Sequence, residues 1–470
     1  MALDGSGRAE VVEEDVLTQE KPRDEGAVDD EPYEFSASSF DRSVEPELGV
    51  LSPLKMPDIW TSKLANGIEI HGAYRGGLPL VIFTFYIKVG SAHCPMDKLG
   101  VAYITAKMLK CGTKNKSAEE LENAFRNFGT DLHINISKER ISYNMLCVNR
   151  DFAELLQLVN EVLTQPRWDE KEFDKLKRET LSLIEVSLSN PQKLGIKEFE
   201  KAVLGDIPLA YPVEGIKDTV ENLTLDDVRD FYDKFFTPEI CNVVIAGNID
   251  KETVVKTFDD FKWTYRPASA IILPDIRPSE KVVSHVDYPK ANQSFIVIGN
   301  QAITRNDKDY IPAYVANYKL GNGSSGLLFK VLRLEHGYTY GAYSSFVASK
   351  SFGMFRAYSN VQASVTKESL QLFRDVFKEY KSSFTEQDLQ ASKSAILRQE
   401  SCNYETLSSL MEVLCNVSLL KMPVDYMRKE IEQLESLAYS EVLEIIDKYI
   451  NIDNMKIVIV GDNQVIKEIN

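Results

Sequence analysis

A segment of 25 residues occurs twice in this chain. Leu223–Gly247 and Leu437–Gly461 align without a gap at a shift of 214 residues. Leu223 meets Leu437, Val228 meets Val442, Asp233-Lys234 meets Asp447-Lys448, and Val243-Val-Ile-Ala-Gly247 meets Ile457-Val-Ile-Val-Gly461. A recurring segment of this length, set in 470 residues, points to two packed units of about 200 residues each.

Local chemistry says what the recurring segment is. Thr224 is suited to cap a helix, and Asp226 and Asp227 favour the positive end of its dipole. Val228, Phe231 and Phe235 fall near one face, and the β-branched run that follows reads as a central strand. Each copy also opens on strands, Leu80–Val89 in the first and Ser294–Gly299 in the second. Between strands, Ser117 and Glu120 form a capping box, Leu121, Phe125 and Phe128 mark a buried face, and Gly129 supplies the stop. Residues 131–137 then alternate as a strand.

Strands and helices come in clusters rather than in strict alternation. The fold class is therefore α+β, two homologous units, each an antiparallel-rich mixed sheet backed by helices. The expected organisation is an acidic disordered N-terminal segment over 1–58, a first unit over 59–265, a linker over 266–280 and a second unit over 281–470. Pro267, Pro274 and Pro278 mark the linker.

Charge is unevenly placed. Residues 1–58 carry 16 Asp/Glu against 5 Lys/Arg, so −11 of the net −17 lies there. With few large apolar side chains, that segment reads as a solvated leader or linker, the alternative being an acidic arm for a basic partner. The remainder has no basic stripe, which argues against nucleic acid as a ligand. No apolar run approaches the ~20 residues of a membrane helix, so no membrane partner is expected. Neither a signal peptide nor a transit peptide is visible, which leaves a cytoplasmic location as the default. Six cysteines (94, 111, 147, 241, 402 and 415) form no C-x-x-C pair and read as reduced, mostly buried thiols.

Gly100–Thr113 has the frame of a zinc-peptidase helix with its catalytic positions replaced. The motif H-x-x-E-H sets two histidines four residues apart on one helix face, with a glutamate to polarise the metal-bound water. Here Tyr103, Ala106 and Lys107 hold those places. The flanking Gly100, Met108, Gly112 and Thr113 nevertheless sit where insulinase/pitrilysin-type peptidases put theirs, and roughly residues 58–470 resemble that family. Glu185 lies about where the resemblance places a third zinc ligand; a lone carboxylate cannot form the site and reads as a solvated or salt-bridged helix residue. This chain is thus expected to bind no metal itself.

The segment Leu320–Ser344 resembles the family's other hallmark, the arginine–tyrosine segment of the C-terminal half. The resemblance sets the arginine on Arg333 and the tyrosine, seven residues later, on Tyr340, with Gly337 between them. It implies that they face zinc across a closed chamber, the arginine holding a substrate carbonyl and the tyrosine stabilising an oxyanion. The residue types suit those roles, since a guanidinium is a permanent multi-donor clamp and a phenol donates without carrying charge.

The resemblance implies a non-catalytic subunit or half of a zinc metallopeptidase that supplies Arg333 and Tyr340 to a zinc-bearing H-x-x-E-H homologue chain or half. Zinc is expected in that partner, and the substrate is an unfolded peptide. The alternative is a catalytically silent structural or peptide-binding homologue, like the alpha subunit of the processing peptidase or a respiratory-complex core subunit. Whether the chain is part of an enzyme is left open between them. An independent peptidase with a novel metal site would need ligands that five scattered histidines do not supply.

Overall fold

The computed structural model describes residues 41, 44, 57–269, 273, 275–400, 405–467 and 469. Most of the acidic segment 1–58, residues 270–272 and 274 of the expected linker, and Cys402 lie outside the described residues. The first sheet comprises β1 (Ile59–Lys63), β2 (Glu69–Tyr74), β3 (Leu80–Ile87), β4 (His133–Ile136), β5 (Ile141–Val148) and β6 (Cys241–Gly247). Its order is β1-β2-β6-β3-β5-β4. The second comprises β7 (Val283–Asp287), β8 (Gln293–Gln301), β9 (Thr339–Ala348), β10 (Gly353–Gln362) and β11 (Lys456–Gly461), ordered β7-β11-β8-β10-β9.

The two orders are one topology. In each sheet the late strand inserts beside the first core strand, parallel to one neighbour (β6 to β2, β11 to β7) and antiparallel to the other (β6 to β3, β11 to β8). The first sheet adds β1 at its edge.

The helices of the first part are α1 (Val101–Met108), α2 (Ala118–Asn127), α3 (Phe152–Thr164), α4 (Glu170–Leu188), α5 (Pro191–Leu204), α6 (Lys217–Asn222), α7 (Leu225–Phe235) and α8 (Lys251–Phe258). Those of the second are α9 (Tyr310–Gly321), α10 (Leu327–Phe329), α11 (Thr366–Ser383), α12 (Glu386–Glu400), α13 (Leu407–Leu419), α14 (Tyr426–Ser436), α15 (Tyr439–Tyr449) and α16 (Asn463–Ile466). The repeated segment is visible in the backbone: α7 and α15, and the single 3-10 turns Pro238–Ile240 and Ile452–Asn454, coincide at the 214-residue shift.

Caps set several of these limits. The Ser117–Glu120 box starts α2, and Thr224 and Asp227 form a second box at α7. At the equivalent place in α15, Ala438 has no side-chain acceptor, and only the return bond survives, from its N–H to Glu441 at 2.7 Å. Helix α4, which carries Glu185, begins at Glu170 because Asp169 accepts from the N–H groups of Lys171 and Glu172.

Each sheet packs one face on its own helices. Phe83 meets Phe152 edge-on at 5.2 Å, and Phe85 stacks on Phe261 at 5.2 Å. The opposite faces are covered by an exchange. Phe199, Val203 and Leu204 of α5 pack on Phe295, Val297, Val458 and Val460 of the second sheet. Leu410, Met411 and Leu414 of α13 pack on Ala73, Val244 and Ala246 of the first. A Cβ on Gly195 of α5 would lie 2.3 Å from the Phe295 ring, so only glycine allows this approach. Burial on both faces explains why every residue of β6 is buried and why its sequence is apolar at all but one position. Asn242, the polar exception in β6, accepts from Lys88 and donates to Ser418 of α13 at 2.9 Å. The described part of 266–280 is held too: Arg277 and Ser279 donate backbone bonds to Leu204 and Ala202 at the end of α5.

Candidate functional site

The positions that would carry zinc ligands lie on α1, which packs against α4, α7 and β4. Ala106 is fully buried, and its carbonyl accepts from the Tyr143 hydroxyl at 3.2 Å. Tyr103 and Lys107, four residues apart on one face, are half-buried, with the ammonium 5.2 Å from the ring centre. Glu185, on the exposed side of α4, reaches Lys217 at 3.4 Å. This donor set does not fit a zinc ion: Ala106 offers no donor, Lys107 would oppose a dication, and Glu185 already answers a lysine. Among the described residues no three His, Cys, Asp or Glu side chains gather into a metal-binding group.

The frame around α1 has structural reasons to persist. Gly100 caps the helix at φ +97°, and a Cβ there would meet the Glu214 carbonyl at 2.7 Å. Thr113 is buried, bridges to Pro166 and donates to Glu161 at 2.5 Å. Nearby, the Gly90 N–H donates to His93 Nδ1 at 3.0 Å, and burial holds that ring's pKa below its ordinary value. Burial pushes the Cys94 and Cys111 thiols up to about 11, so neither is poised as a thiolate.

Arg333 and Tyr340 are brought together. After α10 the chain widens into one π-helical stretch, Lys330–Glu335, which packs on β9 and α11. It ends with Gly337 N–H bonded to the Arg333 carbonyl and Tyr338 N–H to that of Leu332. Each bond spans one residue more than in an ordinary helix stop, as the wider π turn demands. The stop delivers the chain into edge strand β9, where the Arg333 guanidinium lies 5.0 Å from the Tyr340 ring centre. Tyr340 is 83% exposed, the most exposed large apolar or aromatic side chain among the described residues.

A β-bulge aims that phenol outward. Thr339 pairs with Val361 and Ala342 with Ser359, so Tyr340 and Gly341 together oppose Asn360. Buried hydroxyls pin the bulge. Thr339 donates to the Asn360 carbonyl at 2.6 Å and accepts from the Gly341 N–H at 3.0 Å, and Ser359 Oγ lies 2.8 Å from the Gly341 carbonyl. Sequence reasoning did not single out Thr339 or Ser359; the available signal was a glycine inside a strand, which commonly marks a bulge. The result is a hydroxyl donor and a guanidinium side by side on an exposed edge, able to hold a carbonyl or a developing oxyanion.

The structure thus yields two clusters, Tyr103–Ala106–Lys107 against the first sheet and Arg333–Tyr340 against the second, with Glu185 paired elsewhere. Among the described residues no helix is long and apolar enough to cross a membrane.

Residues 80–216 match the family model described as insulinase (peptidase family M16), and residues 222–396 match the one described as the peptidase M16 inactive domain. The non-peptidase homolog YmxG of Helicobacter pylori is 22% identical over 389 residues, covering 82% of this chain and 90% of its own. An uncharacterized zinc protease of Streptomyces coelicolor is 27% identical over 319 residues, covering 66% and 70%. Among solved structures, a peptidase M16 inactive domain from Pseudomonas fluorescens superposes with a TM-score of 0.80 at 23% identity, covering 86% of this chain and 98% of that one. A protease from Helicobacter pylori superposes with a TM-score of 0.78 at 17% identity, covering 87% and 100%. The likeness to these structures is one of fold.

Proposed function

Given that this chain belongs to the insulinase peptidase family M16 and lacks that family's zinc motif, we propose that it completes the peptidase site of a zinc-bearing H-x-x-E-H partner. The observation that carries the reading is the exposed Tyr340 phenol, held on a pinned bulge beside Arg333. Arg333 binds a backbone carbonyl of an unfolded peptide. Tyr340 donates its hydroxyl hydrogen bond to the oxygen that gains charge as the scissile carbonyl becomes tetrahedral. The partner's zinc supplies the activated water. The role of the phenol is hydrogen-bond donation rather than proton transfer.

The test is reconstitution. The purified chain, mixed with an M16 chain that carries an intact H-x-x-E-H motif, restores cleavage of a fluorogenic unstructured peptide. Tyr340→Phe then lowers kcat by about 10²-fold, the size of losing one oxyanion donor, and Arg333→Ala mainly raises KM. Assembly, followed by size-exclusion chromatography, is unchanged by either. Two silent substitutions in an active complex would sink the assignment, and so would stoichiometric zinc on the isolated chain.

The second reading, a silent structural or peptide-binding homologue, draws support from the name of the Helicobacter pylori relative, a non-peptidase homolog. On that reading peptide binds and no zinc-bearing partner restores cleavage.

A further inference from the structure

A cleft of about 760 Å³ opens between the C-terminal turns of α4, the Gln192–Lys201 stretch of α5 and the loop that leads into α6. Its volume lies within the about 300–1,000 Å³ usual for ligand sites. Its lining runs against the character of the chain. With −11 of the net −17 in residues 1–58, the remaining residues are still net acidic, yet the cleft is lined by five lysines against three carboxylates.

Two of those lysines are already answered. Lys138 bonds Glu200 at 3.0 Å and the Tyr211 carbonyl, and Lys217 bonds Glu185 at 3.4 Å. The other three, Lys193, Lys197 and Lys201, recur every fourth residue along α5, so they form one row of positive charge. None of the three makes a salt bridge among the described residues: Lys193 meets the Ser187 hydroxyl at 3.2 Å, and Lys201 lies 4.4 Å from the centre of the Tyr211 ring. Like charges at this spacing weaken a helix, and among the described residues no ion pair offsets them. Between the lysines and α4, the walls are apolar, with Ile184, Leu188, Leu194 and Ile216. Leu188 and, just beyond on α4, Val186 are exposed large apolar side chains.

We propose that this cleft binds an acidic, apolar peptide segment. Its carboxylates lie along the Lys193–Lys197–Lys201 row, and its aliphatic or aromatic side chains pack between α4 and the loop. The charge of the row selects the sign of the ligand, and the apolar walls select a chain with alternating character over a merely polyacidic one. This binding is a property of the chain alone and holds whether or not a zinc-bearing partner exists.

Fluorescence anisotropy of the intact chain tests it. The probe is a labelled ten-residue peptide of alternating Glu and Leu, set against the same peptide with Lys for Glu and against oligo-glutamate. The Glu/Leu peptide binds tightest and weakens as salt rises. Lys193→Ala with Lys197→Ala weakens it about tenfold, as expected for two exposed charge contacts, while Lys193→Arg with Lys197→Arg retains it. Circular dichroism confirms that both variants fold. Equal affinity for the Lys/Leu peptide, or no loss in the double alanine variant, overturns the proposal. So does binding to phosphatidylserine vesicles with none to the peptide.

Discussion

Helix α1 and the turn into β9 are the two places where a member of this family would concentrate its chemistry, and they have been treated in opposite ways. On α1 the would-be ligand positions have become packing: Ala106 is fully buried, and Tyr103 lies against Lys107. At the turn, a large aromatic side chain is held out in water, where it buries little apolar surface, by a π-helical stretch and a bulge pinned by two buried hydroxyls. Packing replaces a catalytic group wherever the group no longer matters, because burial is favourable by default. Exposure held in place by irregular backbone is what the role proposed for Tyr340 requires. The frame of α1, by contrast, persists for reasons of backbone fit at Gly100 and Thr113.

The largest test puts the motif's glutamate onto α1. Ala106→Glu sets a carboxylate at a fully buried position, and should lower unfolding free energy in urea by about 3–5 kcal/mol, the scale of an unpaired buried charge. A variant Tyr103→His, Ala106→Glu, Lys107→His that folds at wild-type stability and binds one zinc would break the comparison. Next in size, Leu414→Ala on α13 should cost about 2–4 kcal/mol by opening a cavity against the first sheet. Because α13 belongs to the second part and the sheet to the first, both parts should then melt together at a lower temperature. Separate melting would show that the exchange of helices does not couple them.

Much of the architecture was legible in sequence. The 214-residue shift predicted α7, α15 and the strands that follow, since helix caps and β-branched runs are local signals. What covers each sheet was not. Phe199 and Leu414 announce only that a helix has a buried face; that each lies on the sheet of the other part depends on packing between residues far apart in the chain. At the site, the spacing of Arg333 and Tyr340 was visible, but their juxtaposition follows from the π stretch and from a bulge held by hydrogen bonds to Asn360 and Gly341 that no local pattern encodes.

Smaller effects sharpen the contrast. Ser359→Ala removes one buried hydroxyl from the bulge and should cost about 1–2 kcal/mol. Tyr340→Phe should leave stability within about 0.5 kcal/mol, since an exposed hydroxyl packs on nothing. If Ser359→Ala also lowers activity in the reconstituted complex, the bulge positions Tyr340; unchanged activity would confine it to stability.

The last test asks which part carries the acid sensitivity. Burial lowers the pKa of His71 and His93, both in the first part, below the ordinary value near 6.5. The unfolded chain therefore binds more protons than the folded one as pH falls below about 6.5. Their contribution is complete above that value and is lost progressively as pH drops toward the folded pKa. His285 of the second part is lowered as well, by burial at the edge strand β7. All three tryptophans, Trp60, Trp168 and Trp263, lie in the first part, and Trp60 flanks Thr61, which pairs with His71. Thermal melts followed by tryptophan fluorescence should thus shift downward between pH 7 and pH 5, and His71→Gln should flatten that shift. A pH profile unaltered by His71→Gln but flattened by His285→Gln would place the acid-sensitive lesion in the second part instead.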